Sequence, residues 1–289
     1  MRLIATDLDG TLLNSKRGIS KENILAILEA QKQGIEVIIS TGRTFNSAKN
    51  IIKNAGIDTP YIISSNGSQI HTICGNELKS YPITISALNK ILPYLHYNNF
   101  YYAISTDENI LEPIDGRERL IADFYKSKET NSSLKEEILD NVLEIFYNSP
   151  DSAEIQRVNS INEMINKPCY NIAVVSHDKE KLLKGRQALK DIKDISIVSS
   201  HENNFEIVSN YSSKGNAVEY IANSLNIPLD EVMAIGDNFN DLSMFKKVKY
   251  SVAMGNADNK IKKECSFVTL KNDENGVAYA IKEHIKNLA

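Results

Sequence analysis

The sequence of 289 residues is poor in cysteine, with Cys74, Cys169 and Cys265 the only three. An odd number at such wide spacing excludes a disulfide framework or a cysteine-based zinc site and reads as reduced thiols. No apolar run approaches the roughly 18 residues of a membrane-spanning helix, and Asp7 interrupts the N-terminus before a signal-peptide core can form. A cytoplasmic protein with no membrane partner is expected. Positive charge is not in excess either, because 33 Lys and Arg face 37 Asp and Glu for a formal net charge of -4. That balance excludes a protein devoted to nucleic-acid backbone. His71, His96, His177, His201 and His284 have no clustered spacing, so each is expected to be structural or superficial rather than a metal ligand. Repeats and low-complexity tracts are absent, and nothing points to an obligate protein partner.

What is present suits a folded chain: 42% hydrophobic and 24% charged residues, over a length that fits one large domain or two smaller ones. Short β-branched runs stop at polar residues, from Leu3 to Asp7, Val37 to Thr41 and Tyr61 to Ser65. Such runs predict strands covered on both faces. Between them, residues 20–33 and 44–55 read as helices, with Ile24, Ile27 and Leu28 at helical spacing and Gly34 or Gly56 just past the ends. The same grammar returns late in the chain as helix 214–226, strand 232–237, helix 240–246, strand 250–254, helix 257–264 and strand 267–269. Both ends therefore predict one parallel sheet clothed by helices, an α/β fold.

The middle differs in composition. Between Gly75 and Gly215 glycine occurs only at Gly116 and Gly185, while eight of the 13 tyrosines fall between Tyr81 and Tyr170. Here the strand candidates alternate, as in Phe100 to Ile104 and Asn204 to Val208, which predicts an antiparallel sheet with one face covered and the other facing solvent or a partner domain. Helices are expected over roughly 86–98, 115–127, 134–146 and 178–191, and Lys126 to Ser133 as a surface connection. The domain reading is a core of 1–81 and 210–289 with 82–209 inserted into it.

In an open parallel sheet, ligands bind beyond the carboxyl ends of the strands. That rim would carry Asp7-Leu8-Asp9-Gly10-Thr11, Thr41-Gly42-Arg43, Ser65-Asn66-Gly67 and Gly236-Asp237-Asn238-Phe239-Asn240-Asp241, with Lys214 at the start of a helix. Carboxylates crowded in a cleft repel, so one must protonate or a cation must intervene. A hard divalent ion such as Mg²⁺ suits all-oxygen ligands, and the hydroxyl, amide, backbone N–H and ammonium donors suit phosphate. Metal plus donors points to phosphoryl chemistry.

The four segments DLDGT at 7–11, TGR at 41–43, SKG at 213–215 and GDNFND at 236–241 resemble the ordered motifs of haloacid-dehalogenase-type phosphatases. Residues 253–257 and 272–278 resemble the Cof-type branch of sugar-phosphate phosphatases. The resemblance implies a Rossmann-like core with an inserted α/β cap of the C2B type. It implies Asp7 as the nucleophile that forms an aspartyl-phosphate, and Asp9 as the general acid/base. It also implies Mg²⁺ held by Asp7, the main chain of Asp9 and Asp237, with Asp241 in support, and phosphate held by Leu8, Thr41, Gly42, Lys214 and Asn240. The expected partner is a small phosphorylated metabolite, with the cap setting selectivity. Arg43 is left between facing phosphate and pairing with an acid. A phosphomutase with a similar core and a non-catalytic phosphometabolite-binding regulator stay as alternatives. A turn after the first strand is left free to alter how Asp7 and Asp9 project.

Overall fold

The computed structural model describes residues 1–107, 109–144, 147, 155–199 and 203–286. It divides into two compact units, 1–80 with 212–289, and 81–211. In the first unit the chain forms β1 (Leu3–Thr6), α1 (Lys21–Lys32), β2 (Glu36–Ser40), α2 (Phe45–Asn54), β3 (Tyr61–Ser64), β4 (Gln69–Thr72) and β5 (Glu77–Ser80). The second unit contributes α3 (Ile85–Tyr97), β6 (Tyr101–Ser105), β7 (Ile110–Pro113), α4 (Gly116–Thr130), α5 (Glu136–Leu143) and β8 (Ile155–Val158). It continues with α6 (Ile161–Ile165), β9 (Asn171–Val175), α7 (Lys179–Leu189), β10 (Ile195–Val198) and β11 (Asn204–Ser209). The chain then returns to the first unit as α8 (Lys214–Ser224), β12 (Val232–Gly236), α9 (Leu242–Phe245), β13 (Tyr250–Ala253), α10 (Asn259–Lys262), β14 (Phe267–Val268) and α11 (Gly276–Lys286).

The first unit is an eight-stranded sheet in the order β14-β13-β12-β1-β2-β3-β4-β5. Its strands are parallel from β14 to β3, and β4 and β5 add an antiparallel hairpin at one edge. Alternate residues serve opposite faces. Ile4, Val37, Ile39, Met233 and Ile235 pack with α1 and α11, whereas Leu3, Ala5, Ile38, Val232 and Ala234 pack with α8 and α9. Each Ile, Leu, Val or Met side chain among them taken from water contributes about 1.5–3 kcal/mol, and burial on both faces is why the strands read as unbroken apolar runs. The chain reverses order between β1, with β2 on one side, and β12 on the other, so the carboxyl ends of these strands flank a crevice at the switch point.

The second unit is a six-stranded sheet in the order β10-β11-β9-β6-β7-β8. All its pairings are antiparallel except the parallel β7–β8 edge. The expectation of a face left to solvent or a partner domain fails at β6, where every residue is buried and helices of the same unit lie on both sides. Tyr102, Ile104, Ile172 and Val174 pack with α3 and α7 on one face, while Tyr101 and Val175 meet Leu120 of α4, with Val142 and Leu143 of α5 against them, on the other. The alternation arises because that second face buries polar groups in pairs: Tyr101 Oη donates to Glu112 at 3.2 Å and Asn171 Nδ2 donates to Glu206 at 2.8 Å. A buried polar group that is hydrogen-bonded shows the same sequence pattern as a wet one.

Lys126–Thr130, expected as connection, continues α4 instead; Ser127 is buried and its hydroxyl bonds back to the Asp123 carbonyl at 2.8 Å. Residues 145 and 146 of the expected 134–146 helix, and His201, lie outside the described residues. Cys74, Cys169 and Cys265 are free thiols. Among the described residues no helix is long and apolar enough to cross a membrane.

Candidate active site

The site is assembled where β1 and β12 end. Asp7 follows β1 and extends the ladder by one bond, its N–H donating to the Ile235 carbonyl at 2.9 Å. The chain then closes into a single irregular turn over Leu8–Leu12, with Gly10 at φ +74°. A side chain there is excluded twice over, by the left-handed backbone and because a Cβ would lie 2.4 Å from the Asp237 carboxylate. This turn, rather than an extended DxD, sets how the two aspartates project: Asp7 is buried, whereas the Asp9 side chain is 52% exposed.

Lys214 begins α8, whose N-cap Ser213 accepts from Asn216 N–H at 3.0 Å. The loop after β3 lies directly on that helix start: Gly67, at φ +91°, would place a Cβ 2.3 Å from the Ser213 backbone. Lys214 is fully buried, and its Nζ reaches Asp7 Oδ1 at 2.7 Å and Asp241 Oδ1 at 2.6 Å. The other oxygen of Asp241 accepts from the N–H groups of Asp237 and Asn238, both at 3.0 Å, which fixes the turn after β12. Asp237 in turn accepts from the Thr11 hydroxyl at 3.0 Å. Asn256, beyond β13, donates to the Gly10 carbonyl at 2.8 Å and ties that loop to the same turn.

Carboxylate oxygens of Asp7, Asp237 and Asp241 lie within 4.8 Å of one another, the only such group of possible metal-holding residues among the described residues. Three carboxylates share one ammonium. Two of them at this spacing repel by roughly 3–4 kcal/mol at an effective dielectric near 20. Burial, with Asp241, Asp237 and Asp9 as further anions, pushes Asp7 well above the usual carboxylate range despite Lys214. Burial and Asp241 push Asp237 up to about 7. Burial alone would depress Lys214, but Asp241 and Asp7 outweigh it and hold the ammonium above its ordinary value. An all-oxygen donor set that is short of positive charge fits a hard divalent cation.

The remaining residues expected at the site fall in two groups. Thr41 is buried after β2, its hydroxyl accepting from Arg43 N–H at 3.2 Å and its carbonyl from Asn66 N–H at 3.0 Å. Asn66 Oδ1 accepts from Asn240 Nδ2 at 3.0 Å and stands 3.2 Å from where a Cβ on Gly42 would be, so Thr41, Gly42, Asn66 and Asn240 form one chain of contacts. Leu8 is wholly buried in the core, which leaves its backbone as the functional part. The Asp9 carboxylate, by contrast, stands apart from the three acids and forms a two-bond pair with Arg43, both bonds at 2.7 Å. Asn66, expected on the rim beyond β3, is found there; Asn256 is an addition that the sequence had not placed in the site, and its signal is the Gly255-Asn256 pair just past β13.

A family model of haloacid dehalogenase-like hydrolases matches residues 4–281. The chain belongs to that family. This hydrolase is 41% identical over 286 residues to phosphatase YwpJ of Bacillus subtilis, across 98% of its own length and 99% of the relative's. It is 36% identical over 282 residues to 5-amino-6-(5-phospho-D-ribitylamino)uracil phosphatase YwtE of the same organism, covering 97% of each. Among solved structures, a haloacid dehalogenase-like hydrolase from B. subtilis matches it with a TM-score of 0.85 at 40% identity, over 98% of this chain and 99% of that one.

Proposed function

We propose that this hydrolase is a Mg²⁺-dependent phosphatase of small phosphorylated metabolites, acting through an aspartyl-phosphate on Asp7. The observation that carries the reading is a buried carboxylate in contact with a buried lysine, with two more carboxylates alongside. A nucleophilic carboxylate and a phosphate dianion repel, and only a site with cationic groups in place lets them meet. Asp7, Asp237 and the main chain of Asp9 would hold Mg²⁺, which supplies positive charge against the phosphoryl oxygens. Lys214 orients the Asp7 carboxylate and faces the same oxygens. Asp241 acts as a positioning residue, holding Lys214 with one oxygen and the Asp237 backbone with the other. Thr41, Gly42, Asn240 and the Leu8 N–H would receive the phosphate.

In the first step an Asp7 oxygen bonds to phosphorus as the ester P–O bond breaks and Asp9 gives its proton to the departing alcohol oxygen. In the second, water bonds to phosphorus, returns a proton to Asp9 and releases phosphate from Asp7. The name of YwtE, a phosphatase of a ribityl phosphate, supports phosphate esters of sugar-derived alcohols as the substrate class. The test is phosphate release with Mg²⁺ across sugar phosphates, polyol phosphates, nucleotides and phosphorylated cofactors, ranked by kcat/KM. Free phosphate with a sugar or polyol ester on top is expected. Positional isomers without free phosphate would replace this reading with a mutase, and binding without turnover would replace it with a regulator.

A further inference from the structure

We propose that Arg43 is a positioning residue for Asp9, the guanidinium that aims this carboxyl at the leaving-group oxygen; the inference rests on Asp9 being the acid/base. Asp9 occupies the one-turn loop around Gly10 with non-helical backbone angles, and its side chain is half exposed. A short side chain so placed has several rotamers open to it. Arg43 closes that choice, with Nε donating to Oδ2 and Nη2 to Oδ1, both at 2.7 Å, a fork that fixes the plane of the carboxyl group. The fork is itself held. Its third nitrogen, Nη1, donates to Ser47 Oγ at 3.0 Å in the first turn of α2, and its backbone is pinned by its N–H to Thr41 Oγ1 at 3.2 Å and its carbonyl to Ser65 N–H at 2.8 Å. Ser47 is buried and the Arg43 side chain is only 16% exposed, so the anchor belongs to the framework at the ends of β2 and β3.

The two bonds leave from different nitrogens, and this matters for proton transfer. When one Asp9 oxygen carries a proton to the alcohol, the N–H on that side is given up while the other keeps the carboxyl plane in place. The duller alternative is a surface ion pair, which would contribute almost nothing. The two differ in their dependence on the leaving group: an aim lost by about 1 Å can cost roughly 100-fold in proton transfer, and only a poor leaving group needs that proton.

The experiment compares Arg43→Gln, Arg43→Lys, Asp9→Asn and the Arg43→Gln/Asp9→Asn double variant on an alkyl phosphate and on p-nitrophenyl phosphate. Arg43→Gln is expected to lose roughly tenfold or more kcat on the alkyl ester beyond its loss on the aryl ester. Arg43→Lys, with charge but no fork, should fall between, and the double variant should be no slower than Asp9→Asn alone. Equal losses on both esters for Arg43→Gln, beside a strong leaving-group effect in Asp9→Asn, would overturn the role of Arg43 while leaving Asp9 intact. Equal losses in Asp9→Asn would instead remove the acid/base reading on which the inference stands.

Discussion

Each of the two units buries a cluster built on an aspartate and a lysine, and the two are wired in opposite senses. In the second unit Asp123 accepts from Ser176 Oγ at 2.8 Å, from His177 N–H at 2.7 Å and from Lys181 Nζ at 2.8 Å. Burial alone would raise that carboxyl, but the His177 and Lys181 interactions outweigh it and bring it down to about 2. In the first unit one ammonium faces three carboxylates, and Asp7 and Asp237 are both raised. Donors in surplus stabilise an anion and finish the job of folding; anions in surplus leave a demand that folding does not meet. The contrast is the one expected between a structural cluster and the proposed site.

The largest expected effect breaks the comparison on the functional side. Asp7→Asn keeps the shape of the side chain and removes the proposed nucleophile, so phosphate release should fall at least roughly 1,000-fold, about 4 kcal/mol of barrier, while the protein stays folded. Full activity in a preparation verified by mass spectrometry would remove Asp7 from the chemistry. Next in size is the response to the cation. At about 100 times its dissociation constant Mg²⁺ should stabilise the protein by about 2.7 kcal/mol, seen as a raised Tm, and Asp237→Asn should lose most of that rise. A wild-type Tm indifferent to Mg²⁺ would mean that the anionic surplus is relieved by protons instead.

The same contrast explains what is legible from sequence. The strands β1, β2, β3 and β12 stand out because helices cover both their faces, and the acids that follow β1 and β12, with Lys214, are marked by motif and by place. The hairpin of β4 and β5 does not, since QIHT and ELKS are short and mixed, and β5 is an exposed edge. Glu206 alternates with Phe205 and Ile207, a pattern that suits a face toward solvent or a partner domain, yet it is buried, because Asn171 on the neighbouring strand does for it what water would. The Asp9–Arg43 pair spans 34 residues and depends on how the Gly10 turn swings Asp9 away from Asp7, which spacing alone does not encode.

A third, smaller effect lies on the structural side. Asp123→Asn removes the carboxylate on which those donors converge and strands part of Lys181, whose Nζ also donates to the Asn99 carbonyl at 2.9 Å. A loss of about 2 kcal/mol in urea unfolding is expected, with turnover per folded molecule little changed. Unchanged stability would mean that Ser176, His177 and Lys181 are satisfied without the charge.

The sharpest test lies in the sign of a slope, because the two clusters predict opposite slopes with pH. Asp123, lowered from 3.8 to about 2, contributes stability that is present above pH 3.8 and lost as pH falls through 2; the gap between wild type and Asp123→Asn should therefore close on acidification. Asp237, raised from 3.8 to about 7 without a cation, contributes stability that is present below pH 3.8 and lost as pH rises through 7. In chelator, Asp237→Asn should gain on the wild type between pH 5 and pH 8. Each slope is bounded at about 1.4 kcal/mol per pH unit for one proton. Saturating Mg²⁺ should abolish the Asp237 slope and leave the Asp123 slope as it was. Two slopes of the same sign would show that the surplus of anions in the first unit does not act as a charge deficit awaiting a cation.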